Sequence, residues 1–352
     1  MRGEDAVRAT PGELAGPTNS KRKRKDGGGA NSARTYYDVP MLKAPLWKWE
    51  IAGYFFLGGL SAGAFLLARM AARFGGRKYE DITRAGSYIA AAAVVPCAPL
   101  LIHDLGDWTR FHYMLRVFKP KSPMNLGAWT LAGYSGVAMF HALLQWREDA
   151  AKSKVKTEPD EPMSEGEKAL RLALDGAGVP LALLLAGYTG VLLSTTATPI
   201  WARNPWIGPL FSASAFGTGA AAVGLALELT DPEEGEPSSR KPMRAITAAA
   251  RVTEAACYAG FLRSAGELAR PITQGEYAPL HLLGAVGAEL VVSTVLENIP
   301  VKSEKTRRAL RIGGAVAGLA GGLALRWVVT LGGRVSGIDP DAARKVSAKD
   351  AR

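Results

Sequence analysis

Residues 50–72 read EIAGYFFLGGLSAGAFLLARMAA, with one acid at the head and no further charge until Arg69. A hydrocarbon core of ~30 Å and a rise of ~1.5 Å per residue call for about 20 mostly apolar residues per crossing, which this stretch supplies. Working outward, similar stretches occupy 85–103, 126–146, 177–197, 205–229, 245–264, 278–296 and 309–331. The sequence therefore predicts an all-α integral membrane protein with eight transmembrane helices.

The averages conceal this, because a mean hydropathy of +0.03 and 21% charged residues describe tails and connections together with spans. Residues 1–43 contain KRKRK at 21–25 followed by GGG at 27–29, with no apolar stretch able to support a core, so this basic tail is expected to be disordered. Ahead of so many spans, its charge suits lipid headgroups rather than nucleic acid. No cleavable leader is expected, since the first apolar run, from Ile51, is long enough to stay in the membrane.

Both cysteines, Cys97 and Cys257, fall inside predicted spans, too few for the thiolates of an iron–sulfur cluster. The four histidines are His103, His112, His141 and His281. His103 closes span two, His141 lies toward the opposite face on span three, His112 is in a loop and His281 starts span seven. No pair is placed to share a haem iron, and no metal site is expected.

Polar residues inside hydrocarbon are expensive and become functional candidates for that reason. Glu50 heads span one with Tyr54 one turn deeper on the same face. His103 and Asp104 close span two, and Tyr188 lies within span four. Glu254 and Arg263 on span six, Glu289 on span seven and Arg326 on span eight form a candidate proton path. Interfacial placement, snorkelling or an aromatic belt accounts for several of these equally well, but Tyr188 and Glu289 sit well inside their spans. Gly59 and Gly63, with Gly314, Gly318 and Gly322, have the spacing of close helix packing.

The motifs PLWKWEI (45–51), YFFLGGL (54–60), LLIHDLG (100–106), RF (110–111), MLRVFKPKSPM (114–124) and GAW (127–129) follow one another in order, then YTGVLL (188–193), PIW (199–201), Ser214-Ala215 and LRWVV (325–329). Together they resemble the NrfD/PsrC family, the membrane subunits of polysulfide reductase and related molybdopterin enzymes. The resemblance covers about residues 36–333. It implies two four-helix bundles, over 44–200 and 201–335, followed by a tail at 336–352. It also implies a quinone site beside the first bundle, and docking of a four-cluster-type iron–sulfur subunit that connects to a molybdopterin (Mo/W) catalytic subunit.

Carried over by position, the quinone contacts fall on Glu50, Tyr54 and Tyr188. The family enzyme has asparagine and histidine where Glu50 and Tyr54 stand, so the proton route differs. His103, Asp104, Arg110 and Trp129 complete the candidate quinone-binding set. The chemistry agrees, since exchange of two electrons and two protons with menaquinone or ubiquinone needs donors that also trade protons, as a partly buried carboxylate and phenols do. The connection 104–125 interleaves Arg110, Arg116, Lys119 and Lys121 with Trp108, Phe111, Tyr113 and Phe118, then Ser122. It reads either as a basic interfacial connector or as a docking surface for the iron–sulfur subunit.

Between spans, odd-numbered connections hold seventeen lysines and arginines against six in even-numbered ones. The positive-inside bias places the odd connections in the cytoplasm of a bacterial or archaeal cell, with termini, quinone end and partner subunits on the outer face; the basic N-terminal tail argues the other way. The chain is read as a quinone-reactive anchor of a respiratory complex, not an autonomous enzyme. Formate, polysulfide, thiosulfate and nitrite systems are all compatible by family analogy. The rival is a secondary transporter or proton-translocating channel built on the second-bundle charges. A hybrid, in which quinone chemistry drives protons through the second bundle, stands between the two readings.

Overall fold

The opening run forms α1 (Trp49–Met70), continued by a π-turn at Ala71–Gly75. The computed structural model describes residues 42–154, 164–230 and 240–344, apart from 44, 46, 341 and 343. The tail expected to be disordered, save residues 42 and 43, and the last eight residues lie outside them.

After α1 come α2 (Glu80–Leu105), α3 (Pro123–Lys154), α4 (Glu165–Ser194), α5 (Ile207–Thr230), α6 (Arg240–Ala265), α7 (Ala278–Asn298) and α8 (Glu304–Gly337). Among the described residues there is no strand. Local chemistry sets the boundaries. Pro96 cannot donate to the ladder and divides α2 into Glu80–Val94 and Cys97–Leu105. Gly106, at φ 75°, ends it in the left-handed conformation that glycine adopts without strain. Ser164 caps α4 by accepting from the Glu167 amide at 3.2 Å.

Six of these helices, α1, α2, α4, α5, α7 and α8, are long and apolar enough to cross a membrane. The expectation of eight is met by length but not by composition. α3 and α6 reach 32 and 26 residues but are less apolar over that length and are not among the six.

α1 and α5 are the central pair. α1 packs on α2, α4, α5 and α8; α5 packs on α1, α2, α4, α6 and α8. α3 bridges α2 and α4, while α7 lies along α8. The central pair meets backbone to backbone: a methyl at Gly63 would lie 2.0 Å from the Ala215 carbonyl oxygen, and one at Gly219 would lie 2.5 Å from the Ala64 nitrogen. Glycine is needed at both.

Gly63→Ala is expected to lower stability by about 1–3 kcal/mol through forced separation of α1 and α5. Thermal unfolding in mild detergent reads this as a lower midpoint, and an unchanged midpoint would contradict the contact.

Candidate functional site

Glu50 sits in the first turn of α1 and is only 3% exposed. Its Oε1 lies 3.0 Å from His103 Nδ1, and its Oε2 has no hydrogen-bond partner. His103 belongs to the last turn of α2, positioned by the Gly106 cap whose amide donates to the His103 carbonyl. The His103 side chain is 72% exposed and lies beside the Trp49 ring at 6.5 Å. The pair thus joins a buried carboxylate to an accessible imidazole. Asp104, half-buried, is held by the Lys48 backbone amide.

One turn deeper, the buried Tyr54 ring, Cys97 Sγ and a Leu185 methyl converge on Gly58. Tyr188, three residues beyond Leu185 on α4, is half-buried and lies within electrostatic reach of Tyr54. Its hydroxyl occupies the space beside Gly127 at the start of α3, where a methyl would approach it to 2.1 Å. Glu50, Tyr54, His103, Asp104 and Tyr188 therefore gather at one end of α1, α2 and α4.

The connection from α2 to α3 lies at the same end. Asn125 organises it: Nδ2 donates to the Met114 and Val117 carbonyls at 2.7 and 3.0 Å, and Oδ1 accepts from the Lys119 amide at 2.6 Å. Ser122 Oγ accepts from the Asn125 amide at 3.4 Å. This clamp is not evident in the sequence, where an asparagine two residues past a Ser-Pro reads as an ordinary turn residue. It leaves Trp108, Phe111, Tyr113 and Phe118 exposed, together with Arg116, Lys119 and Lys121. Trp129 packs edge-on against Phe118 at 6.0 Å. Arg110 pairs with Asp107 at 2.9 Å and stays exposed.

The remaining sequence candidates divide. Glu254, Glu289 and Arg326 are buried together, whereas Arg263 is exposed at the end of α6. A further cluster, not singled out from the sequence, lies toward the opposite end of α1. There Arg69 contacts His141 Nδ1 at 2.9 Å and Ser87 Oγ at 2.7 Å, while His141 Nε2 faces Asp175 at 3.2 Å. His281 bonds the Tyr258 hydroxyl at 2.7 Å, so each histidine within a helix has a side-chain partner of its own.

Residues 38–336 match the family model described as polysulphide reductase, NrfD. The chain belongs to the NrfD family. A polysulfide reductase subunit of Wolinella succinogenes is 26% identical to it over 310 residues, covering 82% of this protein and 94% of the relative. Protein NrfD of Escherichia coli K12 is 28% identical over 198 residues, 52% of this protein and 60% of the relative. The Hdr-like menaquinol oxidoreductase integral membrane subunit of Archaeoglobus fulgidus is 25% identical over 173 residues, 49% of this protein and 39% of the relative. As an NrfD-family protein with six apolar helices, the chain is a multi-pass membrane protein.

His103→Ala should leave the buried Glu50 carboxylate without its imidazole and lower stability by about 1–3 kcal/mol. Adding Glu50→Gln should recover part of that loss in a double-mutant cycle. Strict additivity would show that the two groups do not interact.

Proposed function

We propose that this NrfD-family protein is the quinone-reactive membrane anchor of a multisubunit oxidoreductase, exchanging electrons between the quinone pool and an iron–sulfur subunit bound to a molybdopterin catalytic subunit. The observation that carries this reading is the convergence of one buried carboxyl and two phenols at the membrane end that also bears an exposed aromatic and basic connection. The name of the Archaeoglobus relative, a menaquinol oxidoreductase subunit, favours menaquinone.

Oxidation of a quinol releases two protons and two electrons. Tyr188 and Tyr54 supply hydrogen bonds to ring oxygens. Glu50 accepts the two protons in succession in a dry setting, and His103, 3.0 Å away and largely exposed, passes each to the aqueous boundary before the next is taken up. Reduction runs the same residues in reverse. Asp104 holds the Glu50–His103 end of α2 against the start of α1. The electrons leave through the partner seated on 104–125, where exposed tryptophan, phenylalanine and arginine have the composition of an interface centre. The two helix quartets act as an electron-transferring half, over 44–200, and a second half, over 201–335. The positive-inside bias favours the outer membrane face for the quinone end.

Tyr188→Phe is expected to reduce quinol turnover about 10–100-fold while partner subunits still copurify, because only the hydroxyl is lost. Turnover equal to that of the unaltered complex would remove Tyr188 from the site.

A further inference from the structure

The first turns of α3 lie between two features of the quinone-anchor reading, the exposed connection 104–125 and the Tyr188 phenol. On that reading, we infer that this segment is a positioning element for the quinone site, in which Asn125 ties the partner-docking connection to the place of the Tyr188 hydroxyl.

α3 starts at Pro123. Ser122 fastens its first turn from outside, its carbonyl accepting from the Leu126 amide at 2.9 Å and its hydroxyl from the Asn125 amide at 3.4 Å. The connection is fastened to the same turn through Asn125. Nδ2 donates to the Met114 and Val117 carbonyls and Oδ1 accepts from the Lys119 amide, so one side chain closes over both ends of Met114–Lys119. A side-chain amide carries two N–H donors and a carbonyl acceptor on one planar group, and here all three kinds of bond are used. The short helical turn Tyr113–Arg116 packs against α3 as well, and Phe118 meets Trp129 edge-on at 6.0 Å.

Helical periodicity gives this segment two working faces. At ~100° per residue, Trp129 returns to within about 40° of Asn125, whereas Gly127 lies about 160° away. The face with Asn125 and Trp129 therefore meets the connection, and the opposite face, with the buried Gly127, meets α4. A methyl at Gly127 would lie 2.1 Å from both Cζ and the hydroxyl oxygen of Tyr188 and 2.3 Å from its Cε1. The phenol thus rests on the α3 backbone itself. A displacement of Met114–Lys119 is carried by one rigid turn to the group that bonds the quinone ring. An O–H···O hydrogen bond is best at about 2.7–2.8 Å and is lost by about 3.6 Å, so a shift of under ~1 Å decides whether Tyr188 reaches the ring oxygen.

The Glu50–His103 pair hangs instead on the start of α1 and the Gly106 cap of α2, so the influence of Asn125 falls on the Tyr188 arm of the site. Seating of the iron–sulfur partner on the connection then sets the phenol in place. With the connection unseated, quinol meets a site whose hydroxyl is out of register, and oxidation waits until an electron acceptor is present. Asn125 acts as a positioning residue, through Gly127 and Tyr188, without touching quinone.

The test is a double-mutant cycle on the purified complex, with turnover of a menaquinol analogue measured with ferricyanide as acceptor and the copurifying partner subunits quantified. Asn125→Leu keeps the shape of the side chain and removes all three bonds. It should lower turnover about tenfold, but less than about twofold in a Tyr188→Phe background, where no hydroxyl is left to misplace. An equal fold loss in both backgrounds, whether from weaker docking or lower stability, overturns the proposal, and so does the absence of any loss. If Asn125→Leu does not fold, Asn125→Asp, which keeps the bond from the Lys119 amide, decides in the same cycle. Failure of the quinone reading is distinct: quinol turnover is then absent in the wild type or unaffected by Tyr188→Phe alone.

Discussion

The backbone contact between α1 and α5 at Gly63 and Gly219 is the constraint on which the rest depends. α1 carries Glu50 and Tyr54 at one end and Arg69 toward the other, while α5 contributes Phe211 and Ser214. With no hydrophobic drive between helices in lipid, close van der Waals contact has to hold such a pair together, and only glycine permits it. The polar groups that these two helices carry, Glu50 and Arg69 on α1 and Ser214 and Glu228 on α5, are placed relative to this seam.

Charge is the second organising factor. The structure places its ionisable groups in pairs or small clusters: Glu50 with His103, Arg69 with His141 and Asp175, Arg251 with Glu297, Arg311 with Glu228. Pairing lowers the penalty of leaving water. Glu254, Glu289 and Arg326 form one more buried cluster of this kind.

The fold was legible in the sequence to the extent that apolar length determines it. All eight predicted runs lie in helices, but only α1, α2, α4, α5, α7 and α8 are apolar enough over their length to cross a membrane. The end-of-helix grouping of Glu50, Tyr54, His103 and Tyr188 was also visible, because position along a span fixes depth. What could not be read was which faces meet. Gly318 and Gly322 look like glycines for backbone contact, yet they face side chains, Arg251 at Gly318 and Thr218 with Glu289 at Gly322. Tyr258 and His281 lie on different helices, and nothing in either helix marks the other as its partner. Arg263 shares a helix with Glu254 but points away from it, a distinction that depends on how α6 is rotated. Depth is a one-dimensional property and survives in the sequence; azimuth is set by neighbours and does not.

The central claim is that the end of the bundle formed by Glu50, Tyr54 and Tyr188 receives quinone. Photolabelling of the intact complex in its membrane with an azido-menaquinone, followed by peptide mapping, tests this most directly. Label on the peptides carrying residues 50–58 and 181–193, competed away by unlabelled menaquinone, is the predicted result. Competed label confined to α6–α8, with none near Tyr54 or Tyr188, would contradict the account.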